Sequence, residues 1–345
     1  MVEGEIDSKP PKQPLDLALL NSEQEYAVSR LWRQFVLMKG AIRAGALTDD
    51  DKWNRHWPKP VHQIVYGLGG SGKSFILRAL QQLIDCIEND SDPLYTTDFP
   101  EVGSCDKSRR KKKQRMAAPS KRRLGSADVL AVVAPTAVAA INVDGSTMNK
   151  AFQFPMIRNK KPYPDETDLA SGSESLAKLQ RDHRYVLIYF ADEFGMIGPD
   201  TLALTSEGIK QAHPAHAHPG QFSGRSFVLF GHHAQLPPIS NSRRGVLYPT
   251  PSLESRGDPS ATDRQYAAAA KVISGRNVYA SFTDVCILRK QMRQSSSDAS
   301  SERFKSILTA VCEGKLSMVD YVYLKKKNDE KSLASFAAFE DTEYL

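Results

Sequence analysis

Four short, largely apolar runs punctuate the chain, at 62–66, 129–133, 185–190 and 226–230. Runs of this length without alternating polar positions read as strands buried on both faces of a sheet. Segments long enough for crossover helices separate them, so the pattern predicts a parallel α/β sheet with helices on both faces. Helical spacing marks the first crossover, where Ile76, Leu80, Leu83, Ile84 and Ile87 fall on one face. Ahead of the first strand a helix is predicted over about 21–38, with Tyr26, Leu31, Phe35 and Met38 near helical spacing. Asn21 or Ser22 is its expected cap, and Glu25 follows Ser22 in capping-box spacing. Near the end, Phe304, Ile307, Leu308 and Val311 mark another amphipathic helix, followed by a shorter one at about 318–324.

Polar stretches break this rhythm. Residues 1–16, with Pro10, Pro11 and Pro14, read as a flexible lead-in, and turn formers at 165–175, 213–224 and 241–260 read as loops or insertions. The longest interruption, about 89–126, is an insertion expected to be disordered. It holds ten Lys or Arg and no acid between Lys107 and Arg123. Such a tract suits a nuclear localisation signal or a nucleic-acid tether; the alternative is that its charges simply stay solvated.

Composition narrows the classes. With 41% hydrophobic and 25% charged residues in 345, wholesale disorder is excluded. The net charge of +6 belongs to the basic tract, because without it 36 basic residues face 40 acidic ones. Cys86, Cys105, Cys286 and Cys312 form no C-x-x-C pair, which argues against a disulfide framework or a zinc ribbon. No apolar stretch approaches the roughly 18 residues of a membrane helix, and the first residues lack the pattern of a signal peptide. The expectation is a soluble intracellular protein with no membrane partner.

The candidate chemistry lies at the ends of the predicted strands. GLGGSGKS at 67–74 satisfies G-x-x-x-x-G-K-[ST] between a strand and a helix. Gly67, Gly69, Gly70 and Gly72 leave the backbone bare, so that their N–H groups and that of Ser71 can wrap phosphates at a helix N-terminus. In such a loop Lys73 reaches the β and γ phosphates of ATP and Ser74 holds Mg²⁺. The run at 185–190 delivers Asp192 and Glu193 at its carboxyl end, where ligands bind in open parallel sheets. Asp192 suits a Mg²⁺ partner and Glu193 the base that orients and deprotonates a water. After the run at 226–230 comes GHHAQLPP, in which Gln235 is placed to sense a γ phosphate. The histidines His213, His216, His218, His232 and His233 match no zinc spacing, and HPAHAHP reads as a solvated loop.

The order LNSEQ, GLGGSGKS, APTAVAAINVDGSTMNKAF, ADEFGMIG, GHHAQLPP and MRQ resembles superfamily 1 DNA helicases of the petite-integration-frequency (Pif) type, including relatives in Helitron transposons. The resemblance spans about residues 20–324. It implies ATP-driven 5′ to 3′ unwinding by RecA-like domains acting on single-stranded DNA or DNA junctions. The processes implied are DNA repair, recombination, telomere maintenance or transposon replication, and the tract at 107–123 points to the nucleus, with the mitochondrion as an alternative.

Carried over, Gln24 corresponds to the glutamine that reads adenine. Pro135, Thr136, Asn142 and Thr147 fall in the element lining the single-strand path, and Arg293 resembles the arginine that approaches the γ phosphate. The implied organisation is a helical segment at 17–56, a RecA-like ATPase domain at 57–290 and the start of an incomplete second motor domain at 291–345. Three positions depart from the family's usual pattern: His232 stands for Asp, Ala137 for Gly and Asn149 for His. Two other readings remain at this level, a nucleotide-binding remnant without motor activity and a P-loop kinase, which has no use for the APT and QLPP elements.

Overall fold

The computed structural model describes residues 14–89, 93–99, 121–154, 173–214, 220–233, 236–238, 247, 263–292 and 299–340. The chain divides into two compact units, 1–290 and 291–345. In the first, helices α1 (Ser22–Arg43) and α2 (Asp50–His56) precede strand β1 (His62–Gly67), and α3 (Lys73–Asn89) follows it. The chain continues through α4 (Ser126–Val129), β2 (Leu130–Ala134), α5 (Ala137–Asn142), β3 (Ser146–Thr147), α6 (Met148–Ala151) and α7 (Glu174–His183). Then come β4 (Ile188–Ala191), α8 (Pro199–Ala212), β5 (Ser226–Gly231), α9 (Asp263–Ala280) and β6 (Asp284–Leu288). The second unit holds α10 (Ala299–Cys312) and α11 (Met318–Glu340).

Every strand pairing is parallel, in the order β3-β2-β4-β5-β1-β6. One strand, β5, therefore separates β1 from β4 in this parallel α/β sheet. Successive residues of a strand point to opposite faces, and here both faces are buried. Val65, Phe190 and Phe230 pack with Leu31 and Phe35 of α1 and Ile76 and Leu80 of α3. On the other face Ile64, Tyr189, Phe227 and Leu229 pack with Leu202 and Ile209 of α8 and Val278 of α9.

Several boundaries differ from the expectations for physical reasons. The capping box of α1 uses Asn21 and Gln24 instead of Ser22 and Glu25, and the helix runs on to Arg43 because Lys39 to Arg43 contains no breaker beyond Gly40. Val129 belongs to α4, not to the second strand. The short edge strand β6 was not among the predicted strands: its apolar run, Val285 to Leu288, is only four residues long, and buried and exposed positions alternate along it. Part of the insertion at 89–126 is folded: Leu94, Phe99 and Leu124 are buried, and Tyr95 bridges Arg123. Arg122 donates to Asp128 at 2.6 and 3.0 Å, so the tract's last residues are held against the domain. At the lead-in, Leu15 exchanges two hydrogen bonds with Gln82. In the second unit α11 continues far past residue 324, through lysines and acids that favour helix without forming an apolar stripe. Among the described residues no helix is long and apolar enough to cross a membrane.

The amino edge of the sheet buries a polar chain. Arg225, 1% exposed, lies 4.8 Å from the ring centre of Trp57, which stacks on Trp53 at 4.1 Å. His213 is buried here and not in a solvated loop; His216 and His218 fall outside the described residues. The contacts run one way when both imidazoles are neutral. Arg225 donates to His213 Nδ1 at 3.5 Å, His213 Nε2 to Tyr189 Oη at 3.1 Å, Tyr189 to His183 Nδ1 at 3.1 Å, and His183 Nε2 to Ala151 O at 2.9 Å. A proton added to either ring removes an acceptor. Burial lowers the pKa of His183, and it lowers that of nearby His62 to about 4.

These depressed values fix the sign of an acid effect. Below about pH 6.5 the unfolded chain takes up protons that the buried rings refuse, so stability falls between pH 6.5 and about 4, by up to ~3 kcal/mol for His62 alone. Urea midpoints measured from pH 7.5 to 4.5 should drop across this window, and His62→Phe should flatten the drop; a wild-type midpoint that stays level would contradict the account.

Candidate functional site

The phosphate-loop sequence forms a closed turn between β1 and α3. Gly70 and Gly72 have φ of 86° and 88°, left-handed values that a side chain would strain. Lys73 turns its ammonium back onto the loop, donating to Gly67 O at 2.7 Å and Leu68 O at 3.0 Å. Gln24, 1% exposed, ties α1 to the same loop: its Nε2 donates to Ser71 O at 3.1 Å while its Oε1 accepts from Asn21 N at 3.1 Å. Both ends of the amide are engaged, so the structure places Gln24 as a strut beneath the loop.

The acids arrive from two strands away. All four residues of β4 are buried, and the strand's pairing with β2 extends one step further as Asp192 N donates to Val133 O at 2.9 Å. Burial raises the pKa of the Asp192 carboxyl, against the Glu193 N–H and the Lys73 charge, which favour its ionised form. Glu193 turns the chain sharply, at φ 53° and ψ 49°, and opens a short helical turn at 194–196. A non-glycine residue held in this region is stored strain of ~1–3 kcal/mol, and such strain concentrates at functional sites. Lys73, Ser74 and Asp192 line one cleft whose apolar wall includes Leu77, Phe190 and Phe230. A hydroxyl and a carboxylate are oxygen donors that fit Mg²⁺, which retains waters and takes further oxygens from phosphates.

The third element packs directly on the second. A Cβ on Gly195 would lie 2.8 Å from His232 O, and one on Gly231 would lie 2.9 Å from Phe194 N and 3.4 Å from the Glu193 carbonyl carbon. His232, 6% exposed, packs its ring on Tyr66 with centres 4.3 Å apart and planes tilted by 32°, and burial, followed by the charges of His233 and Lys73, lowers its pKa to about 4. The position where the family pattern has Asp therefore holds a neutral ring. Gln235 and Arg293 fall outside the described residues. Tyr66, Gly195 and Gly231 were not singled out from the sequence; each stands beside a motif residue at or just beyond the end of a strand, which is the signal that marks them.

The remaining predicted positions share another stretch of the same sheet edge. Pro135 follows β2. Thr136 caps α5 by accepting from Ala139 N at 3.2 Å, and Thr147 caps α6 by accepting from Lys150 N at 3.4 Å. Ala134 and Thr147 are register partners, which sets Pro135 and Thr136 beside Thr147, while Asn142 ends α5 on the far side of a turn. On α5, Val138 and Ile141 are 71% and 67% exposed.

The glycine geometry yields a paired test. Gly195→Ala should lower the unfolding free energy by ~1–3 kcal/mol, because backbone must move to admit the methyl group. Gly69→Ala, whose Cβ would meet nothing within 4 Å, should change it by less than ~0.5 kcal/mol. Equal effects in denaturant titrations would contradict the contact.

No family model matches the sequence, and no curated protein matches it. Among solved structures, the chain is similar to a Pif1 helicase described in terms of DNA unwinding at forked double-stranded DNA, with 16% identity, a TM-score of 0.48, and coverage of 89% of this chain and 51% of that one. It is similar also to Pif1 helicase from Candida albicans, with 16% identity, a TM-score of 0.49, and coverage of 88% and 46%. A third is Pif1 helicase from Bacteroides in complex with ADP-AlF3 and single-stranded DNA, with 16% identity, a TM-score of 0.41, and coverage of 79% and 48%. The chain thus spans about half the length of the solved structures to which it is similar.

Proposed function

We propose that this chain is an ATP- and Mg²⁺-dependent DNA helicase or DNA-stimulated ATPase of the Pif type, acting on single-stranded DNA or DNA junctions. One observation carries the reading: Lys73, Ser74 and Asp192 converge on a single cleft at the carboxyl edge of the sheet, with Glu193 next to it. Lys73 exchanges the carbonyls of Gly67 and Leu68 for phosphate oxygens and neutralises their charge. Glu193 accepts the proton of a water that attacks the terminal phosphorus, and the bond to the bridging oxygen breaks to release ADP. Mg²⁺ held by Ser74 and Asp192 supplies neutralisation of charge on the phosphates. Gln235 and Arg293 are assigned to link the nucleotide state to DNA, and Gln24 to link α1 and adenine to the loop.

The DNA side of the proposal rests on the order of the sequence motifs and on the edge that holds Pro135, Thr136, Asn142 and Thr147. A threonine hydroxyl that caps a helix as acceptor keeps its own proton to donate, so Thr136 and Thr147 can each serve a helix and a DNA phosphate together. DNA repair, recombination, telomere maintenance or transposon replication, and a nuclear location directed by the basic tract, belong to the same proposal. The second reading, a nucleotide-binding remnant without motor activity, is favoured by the neutral His232.

Hydrolysis of ATP with and without single-stranded DNA separates these readings. Strong stimulation is expected; binding without turnover would favour the remnant, and phosphate transfer to a small acceptor would indicate a kinase. Lys73→Ala should lower turnover at least about a hundredfold, the loss typical of removing one group that stabilises developing charge, and a wild-type rate in this variant would remove the loop from the chemistry.

A further inference from the structure

Three aromatic rings gather where β1 and β5 end. Tyr66 is the last residue before the phosphate loop and pairs in register with Gly231, which His232 and His233 follow. The ring centres are 4.3 Å apart for Tyr66 and His232, 5.0 Å for the two histidines and 5.2 Å for Tyr66 and His233. Tyr66 Oη lies 2.6 Å from His233 Nδ1, a short hydrogen bond whose direction follows the imidazole tautomer. The chemistry described above asks nothing of these three side chains.

Their backbone has a sterically defined neighbour. His232 O occupies the space that a Cβ on Gly195 would need, and Gly231 leaves no room for a methyl group against Phe194 N and the Glu193 carbonyl carbon. The turn pressed against them is the one that holds Glu193 at φ 53°. A close-packed contact without slack transmits displacement, so the exit of β5 and the Glu193 turn move together.

We propose that Tyr66 and His233 are positioning residues for Glu193: their rings and hydrogen bond clamp the His232 backbone to the end of β1, and the clamp sets the Glu193 carboxylate relative to the phosphate loop. The proposal rests on the reading of Glu193 as the base of ATP hydrolysis. Because the clamp acts on orientation and not on phosphate contacts, its loss falls on kcat and leaves nucleotide affinity in place.

The test is a double-mutant cycle on single-turnover ATP hydrolysis by the full chain, with binding of a non-hydrolysable ATP analogue measured alongside. Tyr66→Phe and His233→Ala should each lower the hydrolysis rate about tenfold and leave analogue affinity within about twofold, since an ångström-scale misplacement acts on rate. His233→Gln, which keeps an acceptor for the hydroxyl, should restore most of the His233→Ala loss. In the Glu193→Gln background Tyr66→Phe should cost nothing further, because its target is gone. An undiminished tenfold loss in that background, a matching loss of analogue affinity, or no rate loss in the single variants would overturn the clamp. Wild-type hydrolysis by Glu193→Gln would instead remove the base reading beneath it, and unchanged analogue binding by Lys73→Ala would remove the nucleotide site, whatever Tyr66 does.

Discussion

The exit of β5 lies on the turn after β4 so closely that neither Gly195 nor Gly231 can carry a side-chain carbon. That approach governs the rest of the site. With β5 between β1 and β4, its exit lies between the phosphate loop and the two acids. The strands cannot slide to relieve it, because residues of β1, β4 and β5 are buried against helices on both faces. The strain at Glu193 persists for the same reason: surrounding packing determines its conformation more firmly than its own backbone preference does.

Buried polarity gathers at both edges of the sheet. At the carboxyl edge lie an ammonium that donates to two loop carbonyls, a carboxyl of raised pKa and a left-handed glutamate. At the amino edge Arg225, His213, Tyr189 and His183 form a hydrogen-bonded chain backed by two tryptophans, while Nε and Nη1 of Arg225 are buried without a hydrogen bond among the described residues.

Legibility followed from how local each signal is. Strands β1, β2, β4 and β5 were readable because burial on both faces demands continuous apolar runs, and the phosphate loop and the acids because each follows such a run directly. β6 was passed over although Val285 to Leu288 is a continuous apolar run: it is only four residues long, and as an edge strand it leaves Val285 and Ile287 exposed. The folded parts of the insertion, Leu94 to Phe99 and Lys121 to Ser126, escaped because they are pinned by long-range contacts such as Tyr95 with Arg123. His213 was hidden for a similar reason: its partners Tyr189 and Arg225 are distant in sequence, and a stretch rich in proline and histidine gives no periodicity. The capping box of α1 shifted by one residue because Gln24 bonds at once to Asn21 and to the phosphate loop, a choice made by tertiary structure.

The central claim is that the cleft of Lys73, Ser74 and Asp192 receives the phosphates of a nucleotide. A crystal structure of the chain with Mg²⁺ and a non-hydrolysable ATP analogue tests it most directly. The account predicts that Lys73 Nζ leaves the carbonyls of Gly67 and Leu68 for phosphate oxygens, with Ser74 and Asp192 flanking the metal. A nucleotide bound elsewhere, with Lys73 still donating to those two carbonyls, would contradict it.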